Sequence, residues 1–378
     1  MKSSKDGESR PVYVGLDVSK NETQLCVVGA EGAKLFEAKV ATEPDALVRA
    51  IARTAEKHEA RVELIGLEMG AMAGWLWREL KAWSLPAVCI DARHAHAALA
   101  TRMNSETDQQ TIRGIVCPSN DRGDAHGIAE LMRTGWFREV APRSEESQAM
   151  RALMVARSRL VRMRADAQNQ IRGLLKERGI RMPRAVGAMF RRRVREAMEG
   201  RLAEGDHLHI LIDAFLRLHE RLCVEQDGIE RRIRHVASTG ETTRRLMTIP
   251  GVGVMTATCF RQTVDDPHRF TSSATVGAYL GLTPRRHQSG EADWTGRISK
   301  RGSVTMRALL YEAATVIMHR VRRGCAMKRW AEGLAERIGK RRAKVALARK
   351  LAVMMHAMWV DGTEFDWGQD AGPATGST

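Results

Sequence analysis

The run Val12-Tyr13-Val14-Gly15-Leu16-Asp17-Val18-Ser19-Lys20 sets one carboxylate inside an apolar, β-branched segment. Such a run reads as a buried strand, where an ion loses hydration worth several kcal/mol unless a partner repays it. Asp17 therefore either caps the strand end and binds amides of the turn at 19–21, or forms one wall of a cation site. Three more acids bear on that choice. Glu68 closes a second apolar run, Leu64-Ile65-Gly66-Leu67-Glu68, and Asp121 and Asp124 stand three apart in a helix-like stretch. Residues three apart on a helix share a face, so these two acids can reach one volume. Two strand-end acids and such a pair make either a carboxylate cage or two unrelated caps beside a solvated helix face. All-oxygen ligands without Cys or His suit a hard ion, Mg²⁺ or Mn²⁺.

With 378 residues the chain has room for two or three domains. Lys and Arg outnumber Asp and Glu by 61 to 45, which favours a polyanionic partner, nucleic acid before an acidic membrane surface. No apolar run approaches a membrane span, and the first residues lack a signal-peptide core, so a cytoplasmic location is expected. Cys26, Cys89, Cys117, Cys223, Cys259 and Cys325 are scattered without CxxC or zinc-ligand spacing, which argues against a disulfide framework or zinc site.

In chain order, the alternation predicts strands at 12–18, 23–28 and 34–40, then a helix from Thr42-Glu43-Pro44-Asp45 to about His58 with Thr42 as its cap. Strand 62–67, helix 71–83, strand 86–90, helix 94–103 and a helix from about 121 to 133 follow. Three strands followed by alternating helices and strands, with acids at strand ends, match a ribonuclease-H-like α/β domain. The polar connector 104–120 contains Asp108, a rival acid with Thr111 where a second Asp would stand.

From Ser144 the pattern turns helical for about ninety residues. Within 151–200 there are fourteen Lys or Arg against four Asp or Glu, more than solubility requires and suited to tracking phosphates. A second long amphipathic helix is expected at 209–236, so the pair makes an internal hairpin or a coiled-coil contact between copies. Ile249-Pro250-Gly251-Val252-Gly253 between two short helices reads as a helix-hairpin-helix-like unit, in which Gly251 and Gly253 either present amides to phosphate or only permit a packing turn.

Further on, Ser289 sits in a glycine-flanked stretch, Gln288-Ser289-Gly290, near Arg285, Arg286, Lys300 and Arg301. A serine hydroxyl becomes a useful nucleophile when a base takes its proton and cations stabilise the charge that develops on phosphorus. His287 is a candidate base, and most loop serines merely bond backbone. Helices are expected from 304 to 318 and from 327 to 360, the latter carrying Lys340-Arg341-Arg342. The final stretch, 361–378, with four acids and no cations, reads as a disordered tail.

Taken together, Val14-Gly15-Leu16-Asp17-Val18-Ser19-Lys20, Gly66-Leu67-Glu68, Asp121-Arg122-Gly123-Asp124-Ala125, Ile249-Pro250-Gly251-Val252-Gly253, Tyr279-Leu280-Gly281-Leu282-Thr283-Pro284, Gln288-Ser289-Gly290 and Ile298-Ser299-Lys300-Arg301-Gly302 resemble the transposases of insertion-sequence family 110 and its 1111 relatives, the DEDD transposases. The resemblance covers most of residues 12–322. It implies a RuvC-like (RNase H-like) α/β N-terminal domain at 12–143 after a flexible 1–11, a helical coiled-coil linker at 144–239, and a mainly α-helical transposase domain at 240–360. It implies that Asp17, Glu68, Asp121 and Asp124 bind Mg²⁺ or Mn²⁺, and that Ser289, with Ser299 as runner-up, attacks a DNA phosphate to form a phosphoserine link. It further implies a dimer or tetramer and a bridge RNA that pairs with donor and target DNA. Two rival functions remain: a RuvC-like nuclease in which water attacks, and a non-catalytic nucleic-acid-binding protein.

Overall fold

A computed structural model of the chain describes residues 9–91, 121–182, 187–203, 205–289 and 292–368. It divides into two compact units, one ending at Arg143 and the other starting at Ser144.

The first unit is built on a mixed sheet. Strands β1 (Arg10–Val18), β2 (Glu22–Gly29) and β3 (Lys34–Ala41) form an antiparallel meander, and β4 (Ala60–Glu68) and β5 (Ala87–Ile90) add in parallel beyond β1. The order across the sheet is β3-β2-β1-β4-β5. Alternation sorts the side chains onto two faces. Val14, Leu16, Leu25, Val27, Ile65 and Leu67 pack against Leu47 and Ile51 of α1 (Pro44–Lys57) and Leu76 and Leu80 of α2 (Ala73–Ala82), all essentially inaccessible. Each such side chain contributes roughly 1.5–3 kcal/mol by leaving water. Thr42 does not cap α1, as the spacing predicts. Its hydroxyl donates to the Ser19 carbonyl and meets the Thr23 hydroxyl, both at 2.9 Å, so the turn before α1 is pinned to the sheet and Glu43 occupies the cap position.

The opposite face is covered by α3 (Asp121–Thr134). Ala125 and Ala129 lie over Cys26 and Val28, while Ile128, Leu131 and Met132 pack on Tyr13, Leu64, Val88 and Ile90. The helix predicted at 94–103 and the connector 104–120 lie outside the described residues.

The described residues of the second unit are helical apart from one hairpin and the connecting turns. Helices α4 (Glu145–Glu177) and α6 (His207–Thr239), each 33 residues or about 50 Å long, pack on one another. The side chains of Ser144 and Asp206 accept from the amides of Ser147 and Leu208 and so cap them. The amphipathic helix α5 (Gly187–Met198) closes the far end of the pair through Phe190 and Val194, which sit among Ile171, Leu175, Ile212 and Leu216.

The other end joins a larger core made by α7 (Glu241–Leu246), α8 (Val254–Val264), α9 (Ser273–Tyr279), α10 (Val304–His319), α11 (Ala326–Ile338) and α12 (Lys340–Asp361). The single helix expected at 327–360 is two: Gly339, at φ +84°, breaks it between α11 and α12. Residues 362–368, predicted as part of a disordered tail, lie against this core. Phe365 and Trp367 supply apolar surface that the surrounding polar sequence obscured, and the Phe365 amide donates to the Thr248 hydroxyl at 2.9 Å.

Candidate active site: acids at strand ends and a serine on a hairpin

The first unit holds Asp17 near the end of β1 and Glu68 at the end of β4. These strands run parallel, paired through Gly15–Gly66 and Leu16–Leu67, so Asp17 and Glu68 stand side by side one residue past the last pair. Neighbouring strands are about 4.8 Å apart, close enough for two carboxylates to repel unless a cation or donor lies between them. Both are half-buried, and both have polar or electrostatic contacts in the structure.

Two glycines determine what lies above these acids. A Cβ on Gly15 would fall 2.0 Å from the Ala125 carbonyl oxygen and 2.5 Å from the Ala129 amide, and one on Gly66 would fall 2.8 Å from Ile128 and Met132. Because Gly15 and Gly66 are paired neighbours, they form a trough into which α3 settles, with its backbone against Gly15 and its Ile128 and Met132 side chains against Gly66. Asp17 and Glu68 lie two residues further along, on the same face. Tyr13 packs on Ala129 and on the cluster of Ile128, Leu131 and Met132, whereas Gly15 meets Ala125 and Ala129, so α3 runs antiparallel to β1. Four helical residues rise about 6 Å, matching two strand residues. The backbone of the first α3 turn, which contains Asp121 and Asp124, therefore comes to the level of Asp17. The side chains of Asp121 and Asp124 lie outside the described residues, and no group of three or more metal-ligand side chains comes together among those described.

The donor set fits a hard divalent ion: it is all oxygen, its two described members are adjacent, and a further oxygen lies close by. Gln24, paired across the ladder with Asp17, is 3% exposed, and its Oε1 has no hydrogen-bond partner among the described residues. His126, one turn into α3, is buried, and burial lowers its pKa, favouring the neutral imidazole. Sequence reading passed over Gln24, a polar residue at the head of the apolar run of β2, which only the strand register sets opposite Asp17.

In the second unit, Ser289 is the last residue of a strand rather than part of a loop. β6 (Pro284–Ser289) and β7 (Ala292–Ile298) form an antiparallel hairpin in which Ser289 pairs with Ala292 at the tip and Pro284 with Ile298 at the base. The side chains of His287 and Ser289 lie outside the described residues. Ser299 follows the base, about 17 Å along the ribbon from Ser289. The Ser299 amide donates to Thr283 O at 2.9 Å, and its carbonyl accepts from Arg285 Nη2 at 3.3 Å. The four candidate cations divide accordingly: Arg285, Lys300 and Arg301 gather at the base, while Arg286 is one residue further toward the tip, in the ladder opposite Thr295.

The base is held tightly. Gly281 (φ +69°) and Gly302 (φ +74°) interlock: a Cβ on the first would lie 2.2 Å from Arg301 O, and on the second 2.4 Å from Tyr279 O. Between them Lys300 adopts φ +55°, a left-handed conformation that costs a side-chain-bearing residue about 1 kcal/mol. Arg307, which sequence reading missed, donates from Nη1 to the carbonyls of Arg301 (2.5 Å), Leu280 (3.2 Å) and Gly302 (3.2 Å). Burial pushes its guanidinium pKa down from the ordinary value.

Gly251 and Gly253 also part company. Gly251, at φ +81°, lies against α10, where a Cβ would meet Ala313 O at 2.8 Å, so close packing accounts for it. Gly253 caps α8 in open space and retains room for a phosphate.

Comparison with known proteins places these features. A family model for DEDD transposases of IS110, described as "Transposase", matches residues 14–179, and a second, described as the transposase IS116/IS110/IS902 family, matches 243–331. The transposase of insertion sequence element IS1328 from Yersinia enterocolitica is 35% identical over 65% of this chain and 73% of its own length. That of IS1111A from Coxiella burnetii is 29% identical over 91% and 88%, and a probable family 20 transposase from Pseudomonas aeruginosa is 32% identical over 63% and 71%. The class is thus that of insertion-sequence transposases, enzymes that recombine DNA. The chain belongs to the IS116/IS110/IS902 family of them. Membership in a DEDD group implies dependence on a divalent metal. Among the described residues no helix is long and apolar enough to cross a membrane.

Proposed function

We propose that this chain cuts and rejoins the donor and target DNA of an insertion sequence, through a divalent-metal site at Asp17, Glu68, Asp121 and Asp124 and a nucleophilic Ser289. The observation that carries the reading is the register of β1 and β4, which sets Asp17 beside Glu68 at the level of the first α3 turn. The sheet order β3-β2-β1-β4-β5, with an antiparallel meander followed by two parallel strands, supports an RNase H-like assignment for the first unit.

Mg²⁺ or Mn²⁺ held by these acids would supply charge withdrawal from the scissile phosphate. Ser289 Oγ forms a bond to phosphorus as the bond to the DNA 3′-oxygen breaks; the serine gives up its proton and the 3′-oxygen leaves as a hydroxyl. One phosphodiester replaces another, so the reverse attack by a different 3′-hydroxyl rejoins strands without an external energy source. Arg285, Arg286, Lys300 and Arg301 grip the DNA backbone around the hairpin, and Gly253 offers its amide to a phosphate. Choice of donor and target belongs, in this reading, to a bridge RNA paired with both DNAs. The working particle is a dimer or tetramer in the cytoplasm.

The test is incubation of the protein and its flanking non-coding RNA with donor and target DNA in Mg²⁺, followed by mass spectrometry of serine peptides. A nucleotide adduct on Ser289, lost in Ser289→Ala and in Asp17→Ala, is expected. An adduct on Ser299 moves the nucleophile to the hairpin base. Metal-dependent cleavage without any adduct replaces the recombinase with a nuclease that uses water. Absence of both activity and metal binding leaves a nucleic-acid-binding protein.

A further inference from the structure

We infer that Gln24 is part of the divalent-metal site, presenting its side-chain carbonyl oxygen to the ion or to a water the ion retains; the inference rests on the metal reading of Asp17 and Glu68. Gln24 sits on β2 directly across the antiparallel ladder from Asp17, so the two side chains rise from the same face, with Cβ atoms about 5 Å apart. The amide is 3% exposed. A buried amide oxygen without a partner costs about 1–3 kcal/mol, and Gln24 Oε1 has none among the described residues.

The orientation of the amide follows from its other end. Gln24 Nε2 donates to Glu37 Oε1 on β3 at 3.4 Å, so the nitrogen faces β3. The oxygen is left on the side of β1. On that side its ladder partner is Asp17, whose carboxylate supplies further acceptor oxygens, so a cation or a cation-bound water between the two strands would meet oxygens from both. A purely structural glutamine would turn its oxygen toward a donor. This one places a neutral oxygen beside the acids, raising the number of ligand atoms without adding a negative charge to a site already rich in them.

Mn²⁺ titration separates the possibilities, followed by the ion's own paramagnetic resonance and by thermal unfolding in EDTA and in Mn²⁺. Gln24→Met keeps the side-chain length and removes the carbonyl. It is expected to weaken Mn²⁺ binding about tenfold, in line with the loss of a supporting partner at a metal site, and to leave the melting temperature in EDTA unchanged or raised, because an unpartnered polar atom is gone. Gln24→Glu, which restores an oxygen at the same place, is expected to recover Mn²⁺ affinity. If Gln24→Met binds Mn²⁺ as tightly as the parent while Asp17→Asn does not, Gln24 is outside the site and only this inference falls. If Gln24→Met lowers the melting temperature in EDTA as much as in Mn²⁺, the amide is a structural element and the assignment is wrong. If the parent and Asp17→Asn bind Mn²⁺ equally, the acid site itself is refuted and the inference falls with it.

Discussion

Replacing Gly15 with alanine tests the trough beneath α3. The new methyl carbon would stand 2.0 Å from Ala125 O, whereas ordinary contact begins at 3.4 Å, so the helix backbone must retreat by about 1.4 Å. No side-chain rotation relieves a clash with main chain. Overpacking of this kind costs about 1–3 kcal/mol, and contact with backbone on two successive turns, Ala125 and Ala129, puts Gly15→Ala at the upper end. Gly66→Ala provides the comparison: its neighbours are the side chains of Ile128 and Met132, at 2.8 Å, and the methionine can move. It should cost about 1 kcal/mol. Urea unfolding followed by tryptophan fluorescence measures both, and Mn²⁺ titration of the folded variants reads the second consequence. A displaced first turn of α3 takes Asp121 and Asp124 from the level of Asp17, so Gly15→Ala should bind Mn²⁺ at least tenfold more weakly than Gly66→Ala. Equal stabilities and equal metal affinities for the two variants would refute the argument that Gly15 positions the helix.

His219 lies wholly buried between α4 and α6, with its Nε2 2.9 Å from Gln168 Nε2, and burial lowers its pKa from 6.5 to about 4. A base whose folded pKa is depressed is fully stabilising above its unfolded value, and the benefit drains away as pH falls from 6.5 toward 4; about 2 kcal/mol should be lost by pH 5 in urea midpoints, and His219→Gln should flatten that slope. Lys300→Gly removes the left-handed strain and one cation together: unfolding should become about 0.5–1 kcal/mol harder, while DNA affinity falls and its logarithmic salt slope shrinks by about 1. Arg307→Ala strips the donor from three carbonyls and should cost about 1.5–3 kcal/mol in urea unfolding.

The strand meander and the placing of acids at strand ends were legible because alternation and burial act locally: Val12, Val14 and Leu16 face one way, and Tyr13, Gly15 and Asp17 the other. The role of Gly15 and Gly66 was not, since a glycine in a strand gives no sign of which helix will approach it. The hairpin carrying Ser289 escaped for a different reason. Pro284-Arg285-Arg286-His287-Gln288-Ser289 has no apolar alternation, because a projecting ribbon with little core behind it imposes none. Arg307 looked like any basic residue on a helix, and only the fold brings three carbonyls within its reach. Phe365 and Trp367 were read with the acidic residues around them rather than for the surface they bury.

The position of α12 has a consequence for how the second unit comes into being. This helix is a central element of its core, touching α7, α9, α10 and α11, and Trp359 near its end packs on Phe260 of α8. Yet it emerges from the ribosome on the order of 100 residues after α7 and α8. Until it is made, the part of the core where Phe260 meets Trp359 stays open, although α8 can already pack on α4, α6, α7 and α10. The first unit faces a shorter delay, since the final element of its sheet sandwich, α3, is complete by Thr134. The two halves of the proposed chemistry thus mature in sequence: the acids are framed early, and the core of the unit that carries the serine hairpin closes only when α12 has been made.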